Sequence, residues 1–437
     1  MEALLMFPAL FLLIFLGFPV AFSLMSVAFV FGVMTFDLAA FFQFTQKIED
    51  VATNFVLAAV PLFVFMGAML ERSGIAESLF DAVHLWTRRL PGGLAVGTVV
   101  MCIIFAASTG VIGATETVVG LLAIPAMMRF NYRNSLISGT ICAGGSLGTI
   151  IPPSVVVVVL GPIANVSIGD LMVGMIIPGL ILSALYVLYI LAYCLIDKDA
   201  GPRVPPSADD PDLATKLAIT LKALLPPMLM IVAVLGSIMG GIAAPTEAAA
   251  LGALGSILLT LLYRRFTLAT FGEALVKTLT VTSMIMLILL AGSLFTGVFA
   301  ATGGMMVMTD LLNSVNLGPW GMIFLFLGMV FIAGFFLEWI SILLIFVPLF
   351  MPFVNSAGFD PLWFSMLILI MIQTSYLTPP MAPAIFYLRG IAPPEMTLQQ
   401  MYWGVVPFIL LQVVVMVVVM LFPETVTWLP DQLLGFK

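Results

Sequence analysis

Two Pro-Pro pairs, Pro152-Pro153 and Pro379-Pro380, interrupt apolar stretches of the sequence, and hydroxyl side chains lie beside each pair. A proline removes an amide hydrogen and clashes with the preceding helical turn, so carbonyl groups just upstream lose their helical partners. Within a membrane, such a break is tolerated only where it faces protein or a water-filled cavity. Freed carbonyls and hydroxyls together form an all-oxygen environment, which suits a hard cation such as Na⁺. The alternative is a simple proline kink in a packing helix.

Each break, together with a nearby small-residue segment, defines one candidate Na⁺ site. The first site is predicted to consist of Ser108, Gly148, Thr149 and Pro152. The second site is predicted to consist of Gly334, Glu338, Thr374 and Thr378. Because the two breaks occupy corresponding places in the two halves of the chain, we expect the two sites to be related to each other.

The segments 107–115 and 333–339 are predicted to be the tips of two helical hairpins. Glycines in these segments permit tight turns and leave amide groups exposed at helix starts, where an anion is favoured. An anionic substrate is therefore predicted to contact Ser108, Thr109, Gly110, Thr115, Gly334, Ser154 and Ser375. The alternative is that the small residues serve close helix packing.

Three carboxylates, Glu116, Glu247 and Glu338, lie in apolar surroundings. Acidic residues within a membrane are costly and are functional candidates by default. Glu247 follows Pro245 at a helix start, where a carboxylate complements the helix dipole, so a structural role is favoured there. For Glu116 and Glu338, which lie within two turns of the hairpin tips, the choice between ion or substrate binding and helix capping stays open.

The overall composition determines which elements must position these residues. The chain has 437 residues, of which 62% are hydrophobic and 8% are charged. An ordinary soluble domain has about 25% charged residues, so a soluble protein is excluded. At about 20 apolar residues per crossing, the composition predicts about ten to twelve membrane crossings. We therefore expect an all-α polytopic membrane protein.

Few residues remain for enzyme chemistry. Cys102, Cys142 and Cys194 lie in apolar runs and are predicted to be small buried hydrophobes rather than disulfides or metal ligands. His84 lies beside a basic stretch and is predicted to be on the cytoplasmic surface. The sequence shows no Walker loop, HExxH motif or plausible GxSxG elbow, so we expect no enzyme, no bound cofactor besides a coupling ion, and no nucleic-acid partner.

Landmarks of the first half recur in the second. Pro152-Pro153 and Pro379-Pro380 are 227 residues apart, and Pro19 and Pro245 are 226 residues apart. The sequence therefore predicts two units, 1–196 and 217–437, joined by a linker at 197–216. The first unit has a re-entrant hairpin at about 92–128 and a broken helix at about 136–160. The second has a hairpin at about 318–354 and a broken helix at about 361–389.

Each unit is predicted to contain five spans and one hairpin, with a polar loop at 37–50 before a span at about 52–71. An odd number of crossings means that the two units insert in opposite orientations, which is an inverted-topology repeat. With the N-terminus outside, thirteen of the fifteen lysines and arginines fall on the inner side, as the positive-inside rule requires. Both termini are therefore predicted to be periplasmic, and the linker cytoplasmic.

Several strings resemble signature stretches of the large membrane subunit of TRAP transporters, the tripartite ATP-independent periplasmic transporters. These strings are Gly148-Thr149-Ile150-Ile151-Pro152-Pro153-Ser154, Ala244-Pro245-Thr246-Glu247-Ala248-Ala249-Ala250 and Ser375-Tyr376-Leu377-Thr378-Pro379-Pro380-Met381. The resemblance covers essentially the whole chain. It implies an ion-transporter-superfamily fold that works as an elevator in the bacterial inner membrane.

The resemblance also implies Na⁺-driven uptake of an organic acid, such as a C4-dicarboxylate or sialic acid. A periplasmic binding protein would deliver the substrate, and a small four-helix membrane subunit, expected here as a separate chain, would complete the permease. One alternative is a stand-alone Na⁺/dicarboxylate-type carrier of the same superfamily. Another is a non-transporting subunit of an energy-converting complex, which is disfavoured because the chain has no lysine or histidine deep in a span.

Overall fold

A computed structural model describes residues 2–109, 112–205, 211–315, 317–380 and 382–435, and every secondary-structure element within these ranges is helical. The helices of the first half are α1 (Met6–Phe15), α2 (Val20–Phe36), α3 (Ala39–Ala52), α4 (Ala59–Glu71), α5 (Ile75–Thr87), α6 (Gly93–Thr109), α7 (Ile112–Arg129), α8 (Asn134–Ser146), α9 (Val155–Ala164), α10 (Ile168–Gly174) and α11 (Ile176–Ile196). The helices of the second half are α12 (Leu213–Met239), α13 (Pro245–Leu262), α14 (Leu268–Ala301), α15 (Gly304–Val315), α16 (Pro319–Ala333), α17 (Trp339–Ser356), α18 (Pro361–Leu377), α19 (Pro383–Arg389), α20 (Leu398–Leu421) and α21 (Glu424–Leu433). The expected all-α class of a polytopic membrane protein is confirmed.

The local sequence explains where several helices begin. At the start of α18, Asp360 accepts hydrogen bonds from the amides of Leu362 and Trp363 at 2.6 and 3.3 Å. At the start of α20, Thr397 and Gln400 bond reciprocally to each other's amides, which is a capping box. Proline occupies the first turn of α13, α16 and α18, where its missing amide hydrogen would have had no helical partner.

Fewer helices are long enough to cross a membrane alone than the composition suggested. Six described stretches have the length and apolarity of a span: 168–196, α12, α13, α14, α17 and α20. A seventh is present if the bent pair Ala39–Ala52 and Phe55–Glu71 counts as one span. The expected ten to twelve crossings differ from this number because proline and glycine divide other apolar stretches into helices of 10–17 residues.

Two local predictions were wrong. Residues 37–50, predicted as a polar loop, lie mostly in helix α3, in which Phe41 and Phe44 alternate with polar residues at helical spacing. His84, predicted on the surface, is 7% exposed. Its Nδ1 and Nε2 atoms lie 2.6 and 3.1 Å from the carbonyl oxygens of Phe80 and Leu94, so the ring joins α5 to α6. The prediction that the three cysteines are buried and unpaired is confirmed.

The predicted linker 197–216 is shorter than expected at its second end. Helix α12 begins at Leu213, where the side chain of Asp212 accepts a hydrogen bond from the Thr215 amide at 3.3 Å. Residues 206–210 of the linker lie outside the described residues.

The helices pack in two groups. The first group consists of α2, α4, α12, α13 and α14, in which α4 packs on α13 and α14, and α14 packs on α2. The second group consists of α6, α7, α8, α17, α18 and α20, in which α8 packs on α6, α7 and α20. Helix α14 meets α17, and α4 meets α6, where the two groups touch.

Helix starts recur between the halves at a nearly constant distance along the chain. Helices α2 and α13 begin at residues 20 and 245, a separation of 225, and α6 and α16 begin at 93 and 319, a separation of 226. Helices α7 and α17 begin at 112 and 339, and α8 and α18 begin at 134 and 361, which are both separations of 227. The order of helices in the first half is thus followed again in the second.

Helices α8 and α20 cross with their backbones in direct contact. A Cβ atom added at Gly139 of α8 would overlap the carbonyl oxygen of Gly404, and one added at Gly404 of α20 would overlap the carbonyl oxygen of Ser135. Glycine is therefore required on both sides of this crossing. The contact joins a helix of the first half to a helix of the second half.

Candidate functional site

A cavity of about 750 Å³ lies between the two groups of helices. Val64, Lys277 and Ile285 line it from the first group. The side formed by the second group includes Glu338 and Tyr376. Its walls are mainly apolar, with a few convergent polar groups, and its size is in the range of small-molecule sites.

At the first Pro-Pro pair, helix α8 ends in the 3-10 turn Leu147–Thr149, and α9 begins at Val155. The Thr149 hydroxyl donates to the Ser146 carbonyl at 2.8 Å, and the Ser154 hydroxyl donates to the Gly148 carbonyl at 3.0 Å. Among the described residues, no backbone amide donates to the carbonyls of residues 149–153. The break thus concentrates free acceptor oxygens in a buried turn.

The second pair lies between α18, which ends at Leu377, and α19, which begins at Pro383. The Thr378 hydroxyl donates to the Thr374 carbonyl at 2.7 Å, and the Thr374 hydroxyl donates to the Ile370 carbonyl at 2.8 Å. The peptide bonds Pro152-Pro153 and Pro379-Pro380 are both cis. Since each hydroxyl hydrogen is used on an upstream carbonyl, the oxygen lone pairs remain available to an electropositive ligand.

The second hairpin tip and the second break come together at the cavity. Gly334, Glu338 and Ser375, three of the predicted site residues, line it. A Cβ atom at Gly334 would overlap the Ser375 hydroxyl, so this glycine permits the tip to touch α18. The Ser375 hydroxyl itself donates to the Ile372 carbonyl at 2.8 Å.

The other predicted substrate residues are placed differently. Ser108, Thr115 and Ser154 are fully buried and do not belong to the described residues that line the cavity. Gly110 lies outside the described residues, and so does the side chain of Thr109, although its backbone ends α6. The Ser108 hydroxyl donates to the Ile104 carbonyl at 2.7 Å.

Several cavity residues were missed at the level of sequence. Gly113 and Thr117, one turn apart on α7, line the cavity, and the Thr117 hydroxyl donates to the Gly113 carbonyl at 3.0 Å. Their spacing of four residues was a usable signal. Lys277, Tyr376 and Tyr387 gave no such signal, because only the packing of distant helices brings them to the same cavity.

The three carboxylates differ in environment. Glu247 accepts a hydrogen bond from the Ala244 amide at 2.8 Å and so caps α13, as favoured from the sequence. Glu338 is the N-cap residue of α17 but makes no side-chain capping bond, and it lines the cavity. Glu116 is fully buried in α7.

Comparison with known proteins identifies relatives over nearly the full length. The family described as "Tripartite ATP-independent periplasmic transporter, DctM component" matches residues 7–425. The chain is 30% identical over 389 residues to the C4-dicarboxylate TRAP transporter large permease protein DctM of Pseudomonas aeruginosa, with 89% of each chain covered. It is 29% identical to the sialic acid TRAP transporter large permease protein SiaM of Vibrio cholerae, with 97% of each chain covered.

Two solved structures share the fold. The YdaH transporter of Alcanivorax borkumensis matches with a TM-score of 0.69 at 13% identity, over 92% of this chain and 96% of that chain. MtrF of Neisseria gonorrhoeae matches with a TM-score of 0.63 at 13% identity, over 89% of this chain and 85% of that chain. At this identity the likeness concerns the arrangement of the helices alone.

Proposed function

The chain belongs to the family of DctM components, the large membrane subunits of tripartite ATP-independent periplasmic transporters, and from this premise we propose that it takes up an organic acid together with Na⁺. The observation that carries the proposal is the family match over residues 7–425. A cavity bounded by a hairpin tip and a broken helix supports it. The proposed location is the bacterial inner membrane, with both termini periplasmic.

The substrate is proposed to be a carboxylate. The names of the relatives specify a C4-dicarboxylate in one case and sialic acid in the other, and both are organic acids. In this chain, Val155 and Val156 line the cavity in the first turn of α9, where amide groups without helical partners favour an anion. The Ser375 hydroxyl and the Lys277 ammonium group also line the cavity and can contact a carboxylate group.

The two halves of the chain are proposed to be inverted repeats that work as an elevator. Recurrence of the helix starts after 225 to 227 residues supports the duplication. In this mechanism the group containing α7, α8, α17, α18 and α20 moves against the group containing α2, α4, α12, α13 and α14. The location of the cavity between the two groups suits such a movement.

Na⁺ is proposed to bind at the two breaks. Carbonyls of residues 149–153 and the Thr149 oxygen would form the first site, with Ser108 nearby in sequence space at the hairpin tip. The second site would use Thr374, Thr378 and Gly334, and the Glu338 carboxylate at the cavity would add a negative charge. Hard cations prefer oxygen ligands of this kind.

Removal of the Thr149 or Thr378 hydroxyl is expected to weaken Na⁺ binding. Thr149→Val and Thr378→Val keep the side-chain shape but delete one oxygen. Loss of such a group is worth roughly 1–3 kcal/mol, or about five- to hundred-fold in apparent Na⁺ affinity. We expect the smaller effect at Thr378, because the Ser375 hydroxyl lies one turn away. The measurement is a Na⁺ titration of substrate uptake.

Thr260→Val provides the matched control. Thr260 is fully buried in α13, and its hydroxyl donates to the Ser256 carbonyl at 2.7 Å, much as the Thr149 hydroxyl donates to Ser146. Both changes therefore leave one carbonyl without its hydroxyl donor, but only one lies at a break. If all three titration curves coincide with that of the wild type, the assignment of Na⁺ to these positions is wrong.

Transport is expected to depend on two partners. We propose a periplasmic binding protein, which delivers the carboxylate, and a small four-helix membrane subunit beside this large one. The chain exposes many large hydrophobic side chains, among them Phe42, Leu188 and Leu258, which lipid or a membrane partner can cover. Proteoliposomes containing this chain alone should show negligible flux, and full flux should require both partners.

The binding protein can be identified from a gene beside the one for this chain, and calorimetry of that protein then defines the substrate. A control preparation with binding protein but no small subunit separates the two requirements. Robust uptake by the purified chain alone would instead show a stand-alone Na⁺/dicarboxylate-type carrier.

A further inference from the structure

Glu116 is a buried carboxylate in the hairpin helix α7 to which the transport scheme above gives no role. Its side chain is 0% exposed and packs directly on Gly145 of α8, where an added Cβ atom would lie 2.8 Å from Oε1. Within the described part of the chain, neither carboxyl oxygen has a hydrogen-bond partner. The group is therefore enclosed without the contacts that normally stabilise a buried charge.

The titratable groups that face Glu116 carry no positive charge. They are the Cys102 thiol of α6, the Cys142 thiol of α8, and the hydroxyls of Tyr376 of α18 and Tyr387 of α19. A carboxylate that is taken out of water without a counter-charge is strongly destabilised. The group must therefore be neutralised by a bound cation when it is buried in this way.

The surroundings favour a proton over a metal cation. Na⁺ would require several oxygen ligands, and the neighbouring thiols of Cys102 and Cys142 are soft groups that suit other metals. A proton needs only one oxygen of the carboxyl group itself. Gly145, the nearest residue of α8, contributes no side-chain ligand.

A route connects the carboxyl group to the cavity. Tyr376 lies next to Glu116, and its side chain also lines the cavity. The Tyr376 hydroxyl has no hydrogen-bond partner among the residues that the structure describes. Gly113 and Thr117, which flank Glu116 on α7, line the same cavity. One side chain thus separates the carboxyl group from the space through which the substrate passes.

We propose that Glu116 is a proton-binding site, loaded from the cavity through the Tyr376 hydroxyl, and that its proton crosses the membrane with the substrate. This inference rests on the proposed function, because it adds a proton to the proposed Na⁺-coupled uptake. Loading forms an O–H bond on a Glu116 oxygen, while the Tyr376 oxygen gives its proton to Glu116 and takes one from a hydronium ion, which becomes water. Unloading on the other side reverses these transfers, so no other reactant is needed.

The experiment compares wild type, Glu116→Gln and Glu116→Asp, with Glu49→Gln at an exposed position of α3 as the matched control. In the purified full chain, infrared spectroscopy should show the carbonyl stretch of a protonated carboxylic acid in wild type and in the control, and the band should be lost in Glu116→Gln. In proteoliposomes with both partners and a pH-sensitive dye, wild type should acidify the lumen during uptake. Glu116→Gln should lose this proton flux but retain substrate exchange.

Glu116→Asp keeps a carboxyl group and should retain the proton flux, which guards against a simple folding defect in the Gln variant. The proposal is overturned if wild type lacks the protonated-acid band, or if folded Glu116→Gln acidifies the lumen as wild type does. It is also overturned if Glu116→Gln changes only the Na⁺ concentration needed, since that result assigns a metal cation. Absence of Na⁺ dependence in wild type would contradict the proposed function instead, and the infrared result does not depend on it.

Discussion

Uptake of the organic acid by the complete transporter is expected to fall below about one hundredth of its initial rate when Na⁺ is replaced by choline. The two proposed sites at the Pro152-Pro153 and Pro379-Pro380 breaks would then be empty. Each empty site loses several coordinating contacts, and each contact is worth roughly 1–3 kcal/mol. The measurement is initial uptake of radiolabelled substrate into proteoliposomes at a clamped membrane potential, with both partners present.

Three further conditions make this test specific for Na⁺. Removal of ATP from both compartments should leave the rate unchanged, since the sequence contains no Walker loop. A pH gradient without Na⁺ should not restore the rate, because a proton at Glu116 does not fill the sites at the breaks. Uptake that continues unchanged in choline would show that the coupling to Na⁺ is wrong.

The sequence predicted the all-helical membrane architecture because composition alone determines it. With 8% charged residues, the chain cannot cover a water-exposed surface, and only helices satisfy their own backbone in lipid. The number of crossings was harder to predict, because a continuous apolar run does not show how each helix bends. The segment before α4 illustrates this: Ala39–Ala52 and Phe55–Glu71 meet at 51°, whereas the polar residues of α3 resembled a loop in the sequence.

The candidate site was predicted in part, for a reason that concerns the backbone. Proline and glycine act within one or two turns, so the breaks and the contact between Gly334 and Ser375 could be inferred from short strings. Tyr387 and Lys277 reach the cavity only through the packing of α19 and α14, and a short string carries no information about that packing. The burial of Glu116 against Gly145 is of the same kind.

The contact between α8 and α20 leads to the second large prediction, which concerns folding. Gly404→Ala is expected to destabilise the protein by roughly 3 kcal/mol or more, because the new methyl group meets a backbone carbonyl that cannot rotate away. Gly139→Ala should have a similar effect, since its Cβ atom would overlap the Gly404 carbonyl oxygen. Thermal unfolding in detergent and the yield of monodisperse protein measure both effects.

Gly328→Ala in α16 is the control, since nothing lies within 4 Å of the added Cβ atom. In a helix interior, alanine is favoured over glycine by about 1 kcal/mol, so this variant should be as stable as wild type or slightly more stable. The same gain acts at Gly139 and Gly404, so a loss of stability there must come from the overlap. Wild-type thermal stability in both Gly139→Ala and Gly404→Ala would show that the two helices do not cross this closely. Because α8 ends at the first Pro-Pro break and α20 packs on α18, which ends at the second, this crossing holds the two proposed Na⁺ sites in one unit. A variant that folds with the crossing loosened should therefore also lose the dependence of each site on the other, which a shallower Na⁺ titration curve would reveal.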